Sequence, residues 1–314
     1  MAVTHEHVLY DNAVLENRIE DMLSTNVDMN NYLTADYSLS ENAGMVKKIH
    51  KYVATGDVQE LSMGEGNTED ISVSFAEEEY RVGTTQGRMR YFDEEEMTDP
   101  MVVEVGLKGL TDKMTNDFTA KAIAEFGKGS KIVYGATFNY NDVVDALAQY
   151  PFEDEAGLFM LINPAQLAAF RKNLKDDLKY VEANVRTGYI GTVCGVPVVI
   201  SKAVPAGKAY IADKTAVTAF IKKGVEVEQE RDANIRENKI YGRKVALIAL
   251  TDDRRVIRLS TKADPRTGKT LVASKPSDWA TTYTNYFKYD FIHETCEACT
   301  SADDWADNLI YKAN

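Results

Sequence analysis

GYIGTVCGVPVVISKAVPAGKAYIAD, residues 188–213, decides the reading of the fold. Within it, VPVVI at 196–200 and KAYIA at 208–212 are apolar runs of strand length, and AVPAGK between them carries the Pro and Gly of a turn. Upstream, LFMLI at 158–162 is a further buried-strand run. Asn163 and Pro164 then give a cap followed by proline, the start of a helix whose inner face is Leu167, Phe170 and Leu174. Asn141 is expected to cap another helix through Val143, Val144 and Leu147, ending before Pro151. Residues 130–224 thus alternate helices and strands, as a compact α/β or α+β unit does.

The clearest single element precedes this unit. Asp99 can cap a helix beginning at Pro100, satisfying one orphan N–H while the proline removes another. Val103, Leu107, Leu110, Met114, Phe118, Ala122 and Phe126 form one apolar stripe, and Gly127 and Gly129 end it. A continuous helix over 100–126 is about 40 Å long. Gly106 and Gly109 are expected to weaken it. On the far side of the unit, VEVEQERDANIRENKIYGRKVALIAL at 225–250 returns to strand character, and DDRR at 252–255 is a turn before VIRLS. The tail beyond is polar and aromatic-rich, with no strong period.

Nearer the N-terminus, residues 46–98 hold short alternating runs: Ile71, Val73 and Phe75, then Tyr80 and Val82, then Met89 and Tyr91. GEGNTED at 64–70 reads as a loop tip. An isolated hairpin is marginal in water, so an excursion this long requires a partner surface. Glu77–Glu79 and Asp93–Glu96 stand close to Arg81, Arg88 and Arg90, a mixture that suits docking as well as it suits a solvated edge. Residues 1–45 combine a helical spacing (Val14, Leu15, Ile19, Met22, Leu23) with a polar stretch too poor in apolar residues to pack alone, as an arm lying on something else would be.

The composition narrows the function. The chain has 314 residues, 44% hydrophobic and 27% charged, enough for a sizeable core. Its net charge of −13 argues against tight nucleic-acid binding, which rests on Lys and Arg neutralising phosphates. MAVTHEHVLYDN shows no signal-peptide pattern, and no apolar run nears the roughly 18 residues that span a bilayer. A soluble protein made in the cytoplasm, without a membrane partner, is expected. Three cysteines make no disulfide framework.

Candidate chemistry is sparse. ADPRTGKT at 263–270 fits a permissive phosphate-loop pattern with Lys269 and Thr270 as the contacts. Ala263 replaces the first glycine, Pro265 removes a donor, and LVASKPSDW afterwards is no helix, so a surface turn is favoured. His293, Cys296 and Cys299 of HETCEAC have metal-like spacing, yet Cys194 lies over a hundred residues away, and a tetrahedral site needs four ligands. His5, His7 and His50 are the other histidines, and nothing points to a catalytic constellation among them. Acidic pairs such as Asp176 with Asp177 and Asp252 with Asp253 read as solvated surface, and WATTYTNYFKYDF at 279–291 reads as core or interface packing. No catalytic, cofactor-binding or metal residue is assigned.

Taken in order, the arm, hairpin, long helix, mixed unit and returning strands resemble the HK97-fold major capsid proteins of tailed double-stranded DNA bacteriophages. LINPAQLAAFRKN at 161–173, the segment 188–213 and the segment 225–250 carry the resemblance. It implies an α+β fold with an N-terminal arm over 1–45 and an extended E-loop over 46–98. A peripheral domain with the spine helix would comprise 99–135 and 225–258, with an axial domain over 136–224 and a C-terminal extension over 259–314. It implies self-assembly into pentamers and hexamers of an icosahedral head, enclosing DNA without sequence-specific binding, in the virion and, during assembly, the host cytoplasm. The absence of a long segment before the arm implies a separate scaffolding protein or a removed segment; a portal is a further expected partner. No Lys and Asn identify themselves as a self-crosslinking pair. An encapsulin-like compartment shell is the alternative on the same fold, and a nucleotide-binding enzyme using 263–270 a third.

Overall fold

A computed structural model describes residues 29–313 apart from 42–43, 62, 64–65, 69, 100, 136–138, 153–156, 174–191, 278, 302 and 308. The helical reading of 14–23, His5, His7, Pro100, Leu174 and Asp176 with Asp177 therefore lie outside the described residues. In chain order the strands begin with β1 (Thr34–Asp36), β2 (Val46–Thr55), β3 (Ser72–Arg81) and β4 (Gly83–Phe92). After the long helix Met101–Phe126 come β5 (Lys131–Tyr134), β6 (Leu158–Ile162), β7 (Thr192–Val193), β8 (Val196–Ile200) and β9 (Lys208–Asp213). The long strands β10 (Val217–Asp232) and β11 (Glu237–Leu250) follow, then β12 (Val256–Ser260). The chain closes with β13 (Lys269–Leu271), β14 (Tyr286–Asp290), β15 (Thr295–Ala298) and β16 (Leu309–Ala313).

These elements form two compact units, one built from the chain up to Ala122 with Val217–Asp252, the other from Ile123–Ala216 with Asp253–Asn314. In the first, a four-stranded sheet has the order β1-β10-β11-β4. Its inner face carries Val225, Val227, Ile240 and Tyr91, and the helix stripe of Val103, Leu107, Leu110 and Met114 packs on them. Each such side chain contributes about 1.5–3 kcal/mol by leaving water. Asp99 Oδ1 accepts the Met101 N–H at 2.9 Å, so the expected cap is present. Thr111 and Thr115 are buried in the stripe, and their hydroxyls donate to the carbonyls of Leu107 and Thr111, at 2.9 Å each. Gly106 has a packing reason to be small: a Cβ there would lie 2.3 Å from Met89 Cε.

The second unit centres on a six-stranded mixed sheet, β5-β12-β9-β6-β8-β7. β6 is buried at all five positions, as its unbroken apolar run requires. Helices Tyr140–Ala148 and Pro164–Asn173 cover it with Val143, Ala146, Leu167 and Phe170. Asn163 Oδ1 caps the second of these through the Ala165 N–H at 3.0 Å. For the first, the expectation is corrected: the cap is Asn139, whose own N–H donates to Asp142 Oδ2 at 3.0 Å, and Asn141 sits inside the first turn. The strand VIRLS, β12, pairs with β5 and β9 in this sheet.

The C-terminal stretch, which has no periodic pattern, is nevertheless ordered. Its four antiparallel strands run β13-β16-β14-β15 around Trp279, Tyr286, Cys299 and Ile310, with Trp305 edge-on to Trp279 at 5.1 Å between ring centroids. Strands of three to five residues are too short to show alternation, and a few large aromatic rings do the packing.

Candidate functional site

The first unit projects a two-stranded hairpin, in which β2 and β3 pair antiparallel from Val46↔Arg81 to Thr55↔Ser72. Its root is anchored: Ile49 and Tyr80 pack on the cluster of Leu39, Val82, Phe220, Val245 and Ala249, and the Val82 N–H donates to the Met45 carbonyl at 2.8 Å. Beyond the root the hairpin is open. Tyr52 and Phe75 are a register pair with ring centroids 6.2 Å apart, and His50 lies 5.9 Å from Phe75. Val73 is on the same face by the two-residue strand period. Tyr52, Phe75 and Val73 are 66, 65 and 63% exposed. Lys48 and Glu77 form an ion pair beside them, and the lysine holds the Glu77 carboxyl below its ordinary value.

At the tip, Gly56 has φ +131°, and a Cβ on it would meet the Asp70 carbonyl oxygen at 2.8 Å, so only glycine fits where the two strands part. Gln59 closes the loop against Thr68, its Oε1 accepting the Thr68 N–H and its Nε2 donating to the Thr68 hydroxyl, both at 2.9 Å. Val58 is 90% exposed, and Leu61, Met63 and Ile71 are exposed too. An aromatic face and an apolar tip left in water on a two-stranded ribbon mark a surface that something else covers.

The outer face of the four-stranded sheet is charged. Glu226, Glu228 and Glu230 on β10 face Arg243, Tyr241 and Lys239 on β11, which face Gln86, Arg88 and Arg90 on β4. Lys223 and Arg243 both bond the Glu226 carboxylate and hold it below its ordinary value. Buried Asp93 ties the end of β4 to the β10–β11 turn, accepting from Arg231 at 2.8 Å and Asn238 at 2.6 Å. Where the helix meets this sheet, Lys244 Nζ lies 4.1 Å from the Phe118 ring centroid. The sequence reading missed Asp93 and Lys244; strongly charged alternation hides which charged side chain turns inward.

The second unit has its own buried charges. Arg258 and Glu294 are almost completely buried, with Lys208 Nζ 2.5 Å from Glu294 Oε1 and the Ser260 hydroxyl donating to Oε2 at 2.7 Å. Arg258 donates to the Gly127 carbonyl at 2.7 Å and to the Phe291 carbonyl. Burial alone would raise the Glu294 pKa, but Lys208, Ser260 and Arg258 outweigh it and leave it lowered.

The sequence candidates take structural places. Residues 263–270 turn through bonds Thr267 N–H to Asp264 O and Lys269 N–H to Arg266 O, then run into β13, a strand and not a helix. Lys269 Nζ donates to the carbonyl of Pro265 at 2.8 Å. Arg266 grips Asp264 through two bonds of 2.9 and 3.0 Å and lies 5.2 Å from the rings of both Tyr134 and Tyr289. His293 Nδ1 contacts Asp290 at 2.5 Å, Cys296 packs beside Tyr289 and Tyr311, and Cys299 is buried in the separate Trp279 cluster. Burial pushes both thiols up. Among the described residues no three His, Cys, Asp or Glu side chains group as a metal site would. Asp253, read as surface, accepts the Ser130 N–H at 2.7 Å.

An open hairpin, a long helix on a long-stranded sheet and a mixed six-stranded unit are the main parts of the described chain. The phage capsid family matches residues 101–254. A major capsid protein of Staphylococcus phage phiMR11 is 23% identical over 257 residues, covering 79% of this chain and 92% of that protein. Among solved structures, the capsid of cyanophage P-SCSP1u is similar with a TM-score of 0.60 at 13% identity, covering 74% of this chain and 88% of that one. The SrpI encapsulin of Synechococcus elongatus PCC 7942 is similar at 0.53 and 13%, covering 73% and 85%. Residues 101–254 are thus similar to the phage capsid family, and the likeness to solved capsids gives the chain their HK97-like α+β fold.

Proposed function

We propose that this chain is the major capsid protein of a tailed phage, assembling as pentamers and hexamers into an icosahedral head that encloses double-stranded DNA. The observation that carries the reading is the β2–β3 hairpin, anchored at its root and uncovered along its aromatic face and apolar tip. A neighbouring copy supplies the cover, because in a closed shell every subunit has one. The mixed unit over 136–224 takes the axial position around five-fold and six-fold axes, while the long helix and its sheet line the periphery. A net charge of −13 suits a container that lets DNA pack and leave, since phosphate repels such a lining. A separate scaffolding protein and a portal complete the assembly.

An encapsulin-like compartment is the second reading, favoured by the likeness to the encapsulin fold. The contents of purified particles separate the two. Nuclease-protected double-stranded DNA of uniform length supports the phage head; particles that hold a co-purifying enzyme and no DNA overturn it.

A further inference from the structure

The six-stranded sheet has two unlike faces. Val133, Ala209, Ile211, Ile257 and Leu259 share the core under the helices and are aliphatic throughout. The strand period places Ile132, Tyr134, Lys208, Tyr210, Arg258 and Ser260 on the opposite face of β5, β12 and β9. There Arg258 is the register partner of Ile132 and Tyr210, and Ser260 that of Tyr134 and Lys208. All of these side chains except Ile132 carry a polar atom, the composition of a sheet face that water can wet. Yet β12 is buried at every position, because side chains of the C-terminal sheet, β13-β16-β14-β15, lie over it.

Little apolar surface holds that cover down. Tyr289 and Tyr311 pack on Ile132, and the Tyr134 and Tyr289 hydroxyls meet at 2.6 Å. The cover has a separate core of its own in Trp279, Tyr286, Cys299 and Ile310. Charges lie between the two sheets instead. Glu294, in the turn from β14 to β15, gives one carboxylate oxygen to Lys208 and the other to the Ser260 hydroxyl, with its side chain 1% exposed. Its backbone is left-handed, φ +56°, a conformation that a non-glycine residue keeps where its surroundings impose it. Arg258 holds the same turn through the Phe291 carbonyl, and its buried Nε makes no hydrogen bond among the described residues. Buried charges add little net stability while paired and are costly to leave alone, so they fix one seating of the cover without welding it on.

We propose that the C-terminal sheet is a latched cover: it lifts from the six-stranded sheet as one body while that sheet stays folded, and the Glu294 carboxylate is its latch. Lifting frees the polar face and β5, the edge strand of that sheet, for contact with another chain. The proposal concerns a single chain and stands apart from the shell reading.

Hydrogen exchange of the full-length protein, followed by mass spectrometry over a series of low denaturant concentrations, tests it. In the wild type the amides of β14 and β16 are expected to exchange as one group, through a smaller opening than the one that exposes β6 and β9. Ile211→Val weakens the helix-covered face, which the lifted state retains, so it should speed β6 and β9 by about fivefold and leave β14 and β16 unchanged. Glu294→Gln removes the latch charge and should speed β14 and β16 by about tenfold or more. Ser260→Ala removes one bond to the latch, a milder change expected to give about threefold, and it decides the matter if Glu294→Gln does not fold. If β14 and β16 exchange only together with β6 and β9, or respond to Ile211→Val to the same extent, the cover is overturned. Wild-type exchange of β14 and β16 in either latch variant overturns the assignment of Glu294.

Discussion

Gly87 of β4 stands directly opposite Gly242 of β11, and the pair lies beneath Leu110 of the long helix. A Cβ on Gly87 would be 2.2 Å from Leu110 Cδ1, and one on Gly242 would be 3.2 Å from Met114 Sδ and 3.3 Å from Leu110 Cδ2. The two glycines are what let the helix seat its stripe on the sheet. Gly87→Ala is therefore expected to destabilise the unassembled subunit by about 1–3 kcal/mol, the usual cost of overpacking. Gly83→Ala is the control, since a Cβ there meets nothing nearer than 4.0 Å. Denaturant midpoints of the two variants that coincide would remove the glycine pair from the account.

Phe118 sits further along the same stripe, buried and capped by Lys244. Phe118→Ala is expected to cost about 3–5 kcal/mol, whereas Lys113→Ala, exposed and off the stripe, should stay within about half a kcal/mol. Urea unfolding of both variants tests the packing directly. A wild-type midpoint for Phe118→Ala would contradict it.

How much of this was legible in the sequence varies with the length of the pattern. Seven stripe residues at steps of three and four specify the long helix, and every one of them is buried. LFMLI and VPVVI are strands for the same reason: an apolar run of that length has nowhere to go but a sheet. The Asn139 cap was missed because Asn141 is an equally good capping residue two positions on, and only the backbone decides between them. The C-terminal sheet was invisible because its strands are too short to show a period. Of the candidate site, the hairpin's exposed face followed from charge and alternation, but Lys244 did not. Nothing in GRKVAL distinguishes the lysine that turns onto Phe118 from the arginine beside it that meets Glu226.

The buried cluster around Glu294 sets an acid limit on the second unit. Its folded carboxyl titrates below its ordinary value, so the stabilisation is complete above the unfolded carboxylate pKa of about 4.3 and is lost as pH falls through the lower folded value. Glu294→Gln leaves Arg258 and Lys208 buried without their anion and should be markedly less stable at neutral pH. The stability gap between wild type and variant is expected to shrink as pH drops below about 4. A gap that stays constant from pH 7 to pH 3 would show that the carboxylate's charge is not what matters.

Lys269 is bound into its own turn and followed by a strand. Mg-ATP is therefore expected to leave the thermal midpoint unchanged in both wild type and Lys269→Ala, since a ligand bound only by the folded state would raise it. Protection of the wild type that disappears in the variant would restore the phosphate-loop reading.

The central claim is that this chain builds a shell from copies of itself, and electron microscopy of the purified full-length protein across a concentration series tests it most directly. Closed shells, or capsomers and tubes of the same subunit lattice, are the predicted result, with the β2–β3 hairpin lying over an adjacent subunit in the averaged density. A chain that stays monomeric at every concentration, with and without its co-expressed neighbours, would contradict it.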